Sequence, residues 1–432
     1  MKFENTLSFA TEMDRQDPLH SLREEFLFPQ HEGKPFIYLC GKSLGLQPKA
    51  ARGVVHQQLD NWQNFAVEGW FEGETPWLYY HKELKKLMAP IVGARPEEVC
   101  PMNTLTVNLH LLLVSFYHPD QQRYKMIMEA GAFPSDQYAL ESQVRFHGFD
   151  PADAIIEIAP RTGEYTLRTE DIIKTIADHA DELALVLFGG INYFTGQWFD
   201  MERITRAGHD AGAIVGFDLA HAAGNVPLQL HDWQVDFACW CTYKYQNSGP
   251  GGIGAIFVHE NHFADQGRSR FAGWWGYQES IRFKMEKGFI PEPGADGWQV
   301  STAQIIPMAL YHASLQIFEK AGFLAPLRQK SLNLTAYLRF IITDVNAALG
   351  EERYLIITPE EDNEHGAQLS VIARGDAKAL FNALVANHVL GDWREPNVIR
   401  FGPAPLYNSF EDIYHTGKLL MQLSKIETND QL

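Results

Sequence analysis

Cysteine is scarce in this chain, with Cys40, Cys100, Cys239 and Cys241 the only four in 432 residues. The close pair, Cys239 and Cys241, lies in one strand-like run and offers two ligands where a structural zinc takes four, so free buried thiols and no metal are expected. Basic charge is in deficit: 36 Lys and Arg stand against 54 Asp and Glu, for a net charge of −18. No run of five or more basic residues occurs, which argues against nucleic acid and anionic membrane as partners. Long apolar runs are missing too. The most apolar helical stretch, LTVNLHLLLVSF, is short and contains Asn108 and His110, so it does not span a bilayer. The opening residues, MKFENTLSFATEMDRQD, are acidic and polar where a signal peptide needs an apolar core, and a cytoplasmic protein is expected.

What is present is a large apolar inventory. With 45% hydrophobic residues over this length, the chain can bury a sizeable core, and two or more domains are expected. Residues 10–25 read as helical, 36–40 (FIYLC) as a short strand running into the turn Gly41-Lys42-Ser43-Leu44-Gly45, and 48–64 as an amphipathic helix. A Gly/Trp-rich loop (68–77) precedes a helix at 80–88. From 99 to 258, strand-like runs at 125–129, 184–188, 213–217, 236–242 and 254–258 are interspersed with helical ones at 107–116 and 201–211, which indicates βαβ units and a mainly parallel sheet flanked by helices. Beyond 305 a long helical region leads into a smaller α+β domain with strands at 368–373 and 398–401 and a helix at 377–387. Ser409 and Asp412 fit a capping box before the last helix, and the tail 428–432 is expected to be disordered.

The chemistry concentrates between residues 217 and 254. One apolar run delivers Asp218 to its C-terminal end, with His221 three residues on; a second delivers Tyr243 and Lys244, followed by SGPGGIG. In an open α/β sheet, ligands sit outside the carboxyl ends of the strands, so both charges should point into one crevice. A lysine amine there is a nucleophile toward an aldehyde, which is Schiff-base chemistry. Taken singly, an Asp at a strand end is usually a helix cap and a Lys after a strand a solvated loop residue.

The wording of this stretch goes further. DLAHAAGN (218–225), DFACWCTYKY (236–245) and GPGGIGAIFVHE (249–260) resemble the core of the fold type I pyridoxal-phosphate enzymes, and in this form the kynureninase family. The resemblance runs from FIYLCGKSLGLQPK near the start to PLYNSFEDIY near the end. It implies a large cofactor-binding domain at 66–310, a small C-terminal domain at 311–432, and an N-terminal segment 1–65 packing with the latter.

It also implies roles. Lys244 would hold pyridoxal phosphate and act as the base, with Asp218 facing the pyridine nitrogen, His221 supporting the ring and Tyr243 binding phosphate and relaying a proton. In the segment MNTLTVNLH, Leu105 and Thr106 match positions that hold the phosphate. The intact FPSD motif places Phe133 on the ring, with Ser135 and Asp136 beside it. Arg400, in VIRFGPAPLYNSF, matches the residue that grips the substrate carboxylate. Trp274 and Thr302 match phosphate contacts made from a neighbouring subunit, so a homodimer with cofactor sites at the subunit interface is expected. Trp70, Tyr277 and Ser301 match positions lining the substrate pocket. Two residues depart from the pattern: Lys42 stands where kynureninases usually have Asn, and Gly189 where many have Ser.

The implied activity is hydrolysis of the Cβ–Cγ bond of L-kynurenine to anthranilate and L-alanine, with 3-hydroxykynurenine as a second candidate substrate. An aminotransferase or cysteine desulfurase of the same fold, or a non-catalytic sensor on the same scaffold, are the alternatives.

Overall fold

The computed structural model describes residues 2–265 and 267–430, the last five as backbone only. Its central sheet comprises β1 (Val99–Pro101), β2 (Lys125–Glu129), β3 (Ile155–Ile158), β4 (Leu183–Gly189), β5 (Ile214–Asp218), β6 (Phe237–Cys241) and β7 (Gly254–Val258). The spatial order is β1-β7-β6-β5-β4-β2-β3. From β3 to β6 all neighbours run parallel, whereas β7 is antiparallel to both β6 and β1. A parallel return requires a crossover long enough to re-cross the sheet, and residues 242–253 contain no helix to provide one.

Both faces of this sheet are covered, which is why its strands read as unbroken apolar runs. In β6, Ala238 and Trp240 enter the core on one face while Phe237 and Cys239 enter the core on the other. The four cysteines are free thiols.

A second, antiparallel sheet of four strands follows, formed by β8 (Tyr354–Ile356), β9 (Leu369–Ala373), β10 (Asp392–Arg394) and β11 (Val398–Phe401), in the order β8-β9-β11-β10. Helices Leu324–Leu349 and Phe410–Asp430 pack against each other, and helix Leu7–Gln16 lies on the latter. The N-terminal segment divides its contacts. Ala10 and Leu39 belong to the core of the small sheet, and Ile37–Tyr38 pairs with Val389–Leu390; helix Ala51–Phe65 instead packs on helix Ile305–Lys320. No helix among the described residues is long and apolar enough to cross a membrane.

The expected elements recur with shifted ends. The helical reading of 10–25 resolves into helix Leu7–Gln16 and a 3-10 turn, His20–Glu25, because Pro18 cannot continue a helix. The strand expected at 36–40 shrinks to Ile37–Tyr38. Strands β3, β8 and β10 and helices Pro134–Phe146 and Thr169–Asp178 were not foreseen. For the tail, the backbone of 428–430 continues helix Phe410–Asp430, and Gln431 and Leu432 lie outside the described residues.

The start of that last helix ties the chain ends together. Ser409 and Asp412 form the expected capping box, with Ser409 N donating to Asp412 Oδ2 (3.2 Å) and Asp412 N to Ser409 Oγ (3.1 Å). The next two free N–H groups, of Phe410 and Glu411, donate to the carboxylate of Asp14 at 2.7 and 3.0 Å. Asp14→Ala removes that acceptor from a buried helix start, and urea unfolding should show a loss of about 1–2 kcal/mol. Asp14→Asn, which keeps one acceptor oxygen, should lose less.

Candidate active site

Four neighbouring parallel strands, β6, β5, β4 and β2, bring their C-terminal ends to one edge of the sheet. At that edge lies a cavity of about 160 Å³. Asp218 and His221 reach it from the end of β5, and Tyr243 and Lys244 from the turn after β6. Leu105 and Thr106, at the start of helix Leu105–Phe116, close one side; Phe133, Ser135 and Asp136, where helix Pro134–Phe146 begins, close another. The ammonium of Lys244 stands 5.8 Å from the centre of the Phe133 ring, and that ring meets Tyr193 edge-on at 5.2 Å. Gly45 makes a close approach possible: its N–H donates to Tyr243 O (2.8 Å), and a Cβ there would strike the backbone of Lys244 and Asn247.

Three carboxyl groups share the cavity with Lys244. Asp218 is buried, and its Oδ1 accepts from Ala220 N at 2.7 Å. Burial raises its pKa, while Lys244, the Ala220 N–H and a hydrogen bond with Asp136 oppose the rise. Asp136 is pushed much higher, by burial and then by Asp218 and Glu129, which favours its neutral form as the donor of the hydrogen bond with Asp218. The second oxygen of Asp136, Oδ1, is buried with no partner. His221 is held neutral by burial first, then by the cations Lys244, Arg400, Lys42 and Arg394. The Tyr243 hydroxyl is kept protonated by burial and by Cys241.

Glu129 and Tyr193 line the same cavity and were missed in the sequence. Glu129 ends β2 as Asp218 ends β5, so the strand-end rule could have found it. Both its carboxyl oxygens accept from Gly189 N at 3.2 Å, and burial lifts its pKa to about 8. A Cβ on Gly189 would lie 3.0 Å from Glu129 Oε1, so the carboxyl presses against the face that a side chain at 189 would take.

Other expected site residues lie elsewhere in the single chain. Arg400 is fully buried but does not line the cavity: Nη2 pairs with Asp392 Oδ2 at 2.7 Å, Nη1 donates to Tyr193 O at 2.5 Å, and the guanidinium stands 6.0 Å from the Tyr193 ring. Trp70 packs against Trp77 (5.6 Å) and Trp275 (5.4 Å), and Trp274 against Trp275 and Phe283. Tyr277 is buried near Phe289, while Ser301 and Thr302 are exposed. None of these five lines the Lys244 cavity. The loop of Trp274 meets the segment before Ser301 through Trp275 N, which donates to Val300 O (3.4 Å). A group of metal-ligand types, Glu98, His231 and His259, sits at the opposite edge of the sheet, where Glu98 accepts from His231 Nδ1 at 2.9 Å and the two imidazoles stack.

The cavity suits an aromatic aldehyde carrying a phosphate. Lys244 offers the amine and Phe133 a ring face, and the unpartnered Asp136 oxygen awaits a donor. Thr104 makes no side-chain cap to helix Leu105–Phe116, so the first N–H groups of the helix are free for an anion.

Comparisons with known proteins agree with this geometry. The aminotransferase class-V family model matches residues 148–350, and the model of the kynureninase C-terminal domain matches 327–420. The chain is 54% identical to a kynureninase of Flavobacterium psychrophilum, over 97% of this chain and 98% of that one. It is 52% identical to one of Christiangramia forsetii, with the same coverage, and 50% identical to one of Myxococcus xanthus over 97% of each. Among solved structures, the cystine C-S lyase C-DES in complex with cysteine persulfide superposes with a TM-score of 0.74 at 14% identity, covering 89% of this chain and 97% of that one. A cysteine desulfurase of Thermococcus onnurineus superposes at 0.72 and 17% identity, covering 90% and 95%. These two show a shared fold.

Glu129 provides a pH-dependent test of the cavity. An acid whose pKa is raised on folding destabilises the native state by an amount that builds up where the unfolded chain ionises and the native protein does not, here between pH 4.5 and about 8, and stays constant above. Glu129→Gln removes that penalty. With pyridoxal phosphate absent, the stability of the variant relative to wild type should therefore be flat below pH 4.5, rise by up to about 1.4 kcal/mol per pH unit toward pH 8 and level off above it, as read from urea midpoints.

Proposed function

The chain belongs to the kynureninase family, and we propose that it cleaves the Cβ–Cγ bond of L-kynurenine with water, giving anthranilate and L-alanine. The observation that carries this reading is the meeting of Lys244, Asp218 and Phe133 in one cavity.

Pyridoxal phosphate, when bound, supplies the electron sink for carbon–carbon cleavage. The protein does the rest. Lys244 would hold the cofactor through Nζ, and its amine is the group placed to take the substrate α-proton. The N–H groups at Leu105 and Thr106 would hold the phosphate at the positive end of their helix. Phe133 would cover the ring. The Asp218 carboxyl, whose ionised form is favoured by Lys244, the Ala220 N–H and the hydrogen bond from Asp136, would hold a proton on the pyridine nitrogen. Ser135 completes the floor beside Asp136. His221, neutral, fills the wall next to Asp218 without competing for that proton. The protonated Tyr243 hydroxyl would serve the phosphate and relay a proton to the product carbon. Arg400, already oriented by Asp392, is the fork for the substrate carboxylate.

In this reading residues 1–65 form an N-terminal segment, 66–310 the large cofactor domain and 311–432 the small domain, in a cytoplasmic homodimer. Support for the dimer comes from exposed apolar side chains near the Trp274 loop. Val67, Phe71, Trp274, Phe283 and Met285 are all more than 40% exposed, with Phe283 touching both Phe71 and Trp274. Such a patch calls for a covering partner. A second copy would bring Trp274 and Thr302 to its neighbour's phosphate, and Trp70, Tyr277 and Ser301 to the aromatic end of its substrate.

Purified protein with pyridoxal phosphate should release fluorescent anthranilate from L-kynurenine, and borohydride should fix the cofactor to the peptide containing Lys244. Lys244→Ala should lose both; attachment to another lysine would refute the assignment. The substrate pocket yields a further expectation. Indole can only donate a hydrogen bond and presents a wide apolar face, so Trp70 is a poor neighbour for a ring hydroxyl. L-kynurenine should be preferred over 3-hydroxykynurenine by about ten-fold in kcat/KM. Equal values for the two would remove Trp70 from that role.

A further inference from the structure

Lys42 carries a charge that the mechanism above does not use. Its side chain is fully buried, and Nζ donates to Leu39 O at 2.9 Å, an oxygen that also accepts from Gly402 N at 2.8 Å. Among the described residues, the remaining N–H groups of the ammonium have no hydrogen-bond acceptor, and no carboxylate lies within 4 Å of it. A buried cation in that state is costly and calls for an anion.

The surroundings define which anion. The charged neighbours that act on Lys42 are Asp392, Arg394 and Arg400, together with the Cys40 thiol. Asp392 is their one carboxylate, and it is spent: Arg400 pairs with it at 2.7 Å, Arg394 at 3.6 Å, and Ser43 Oγ donates to it. Three cations thus share a single negative charge, and Arg400 is the one neutralised most directly. The cluster adjoins the Lys244 cavity. Arg394 and Arg400 each stand 6.0 Å from the ring of Tyr193, a wall residue, and Lys42, Arg394 and Arg400 all act on His221, another wall residue. The turn that carries Lys42 also leans on the catalytic strand end, through Gly45 N to Tyr243 O.

Building on the functional reading above, we propose that Lys42 is a substrate-binding residue, supplying the free positive charge that holds the α-carboxylate of the substrate beside Arg400. Arg400 then contributes direction, through its fixed fork, and Lys42 contributes the uncompensated charge. Kynureninases that resemble this chain but carry Asn at this position lack the second cation. Burial brings the ammonium of Lys42 down to about 8, so its charge is present below that pH and lost above it. A bound carboxylate favours the charged form, and affinity should fall as pH rises past 8.

The experiment compares wild type with Lys42→Met, which keeps the apolar stem, and Lys42→Asn, both as holoenzyme. Turnover is measured with L-kynurenine and with its carboxamide. Binding of 3-(2-aminobenzoyl)propanoate, the substrate without its amino group, is measured by calorimetry at pH 7 and pH 9. For both variants KM for L-kynurenine should rise about ten-fold with little change in kcat, and the carboxamide should be unaffected. Wild type should bind the amine-free acid more weakly at pH 9 than at pH 7, and Lys42→Met should bind it weakly at both. The melting temperature of Lys42→Met should not fall, because a buried unpaired charge has been removed. Equal losses for acid and carboxamide, or unchanged affinity for the amine-free acid, would overturn the inference. The two readings fail separately. Wild type that binds the acid through Lys42 yet forms no anthranilate refutes the activity, while anthranilate formed with an unchanged KM in Lys42→Met refutes only the role of Lys42.

Discussion

Parallel strands end at the same edge, and here that edge must hold an amine and three carboxyl groups out of water. The cavity tolerates them because their charges are unequal. Asp136 and Glu129 are pushed toward their neutral forms by burial and by Asp218, leaving Asp218 as the carboxylate that answers Lys244. Remove that division and like charges would crowd a cavity of about 160 Å³. The covered faces of the sheet and the glycine contact of Gly45 with the Lys244 backbone serve the same end, excluding water and fixing the amine opposite Phe133.

Much of this was legible because it follows from chain direction. Asp218 and Lys244 each follow an apolar run, and strand ends in an α/β sheet converge, so their meeting could be read without coordinates. Glu129 obeys the same rule but was read only as the end of a strand, since a lone Glu after KMIM carries no partner motif. The antiparallel turn of β7 was hidden for a different reason: its apolar run looks the same in either direction, and only the absence of a helix in 242–253 betrays it.

Residues recognised through family resemblance fared unevenly. Leu105, Thr106, Phe133, Ser135, Asp136, His221 and Tyr243 gather around Lys244 within one chain. Trp70, Trp274, Tyr277, Ser301 and Thr302 do not line that cavity, and their spacing along the chain carried no sign of where they fold. For Arg400 the motif located the residue but not its state. Its partner Asp392 lies in β10, a three-residue strand too short to produce a readable alternation.

The cations around the Lys244 cavity come from three separate parts of the chain. Lys244 belongs to the large sheet, Arg400 to β11 of the small sheet, and Lys42 to the turn between the N-terminal strand and helix. They are joined at a seam only one peptide wide. Leu39 O accepts from both Gly402 N and Lys42 Nζ, and Leu39 N donates to Leu390 O at 2.9 Å, so the backbone that positions Lys42 is also the backbone that docks the N-terminal segment on the small sheet. On the other side of the same turn, Gly45 docks on Tyr243. A shift of the small sheet relative to the large one would therefore move Arg400 and Leu39 together while Gly45 stayed with Lys244, and the strain would fall on residues 41–44. Arg400 and Lys244 are thus linked through five residues whose two glycines permit the close approaches at either end, with the buried side chain of Lys42 between them.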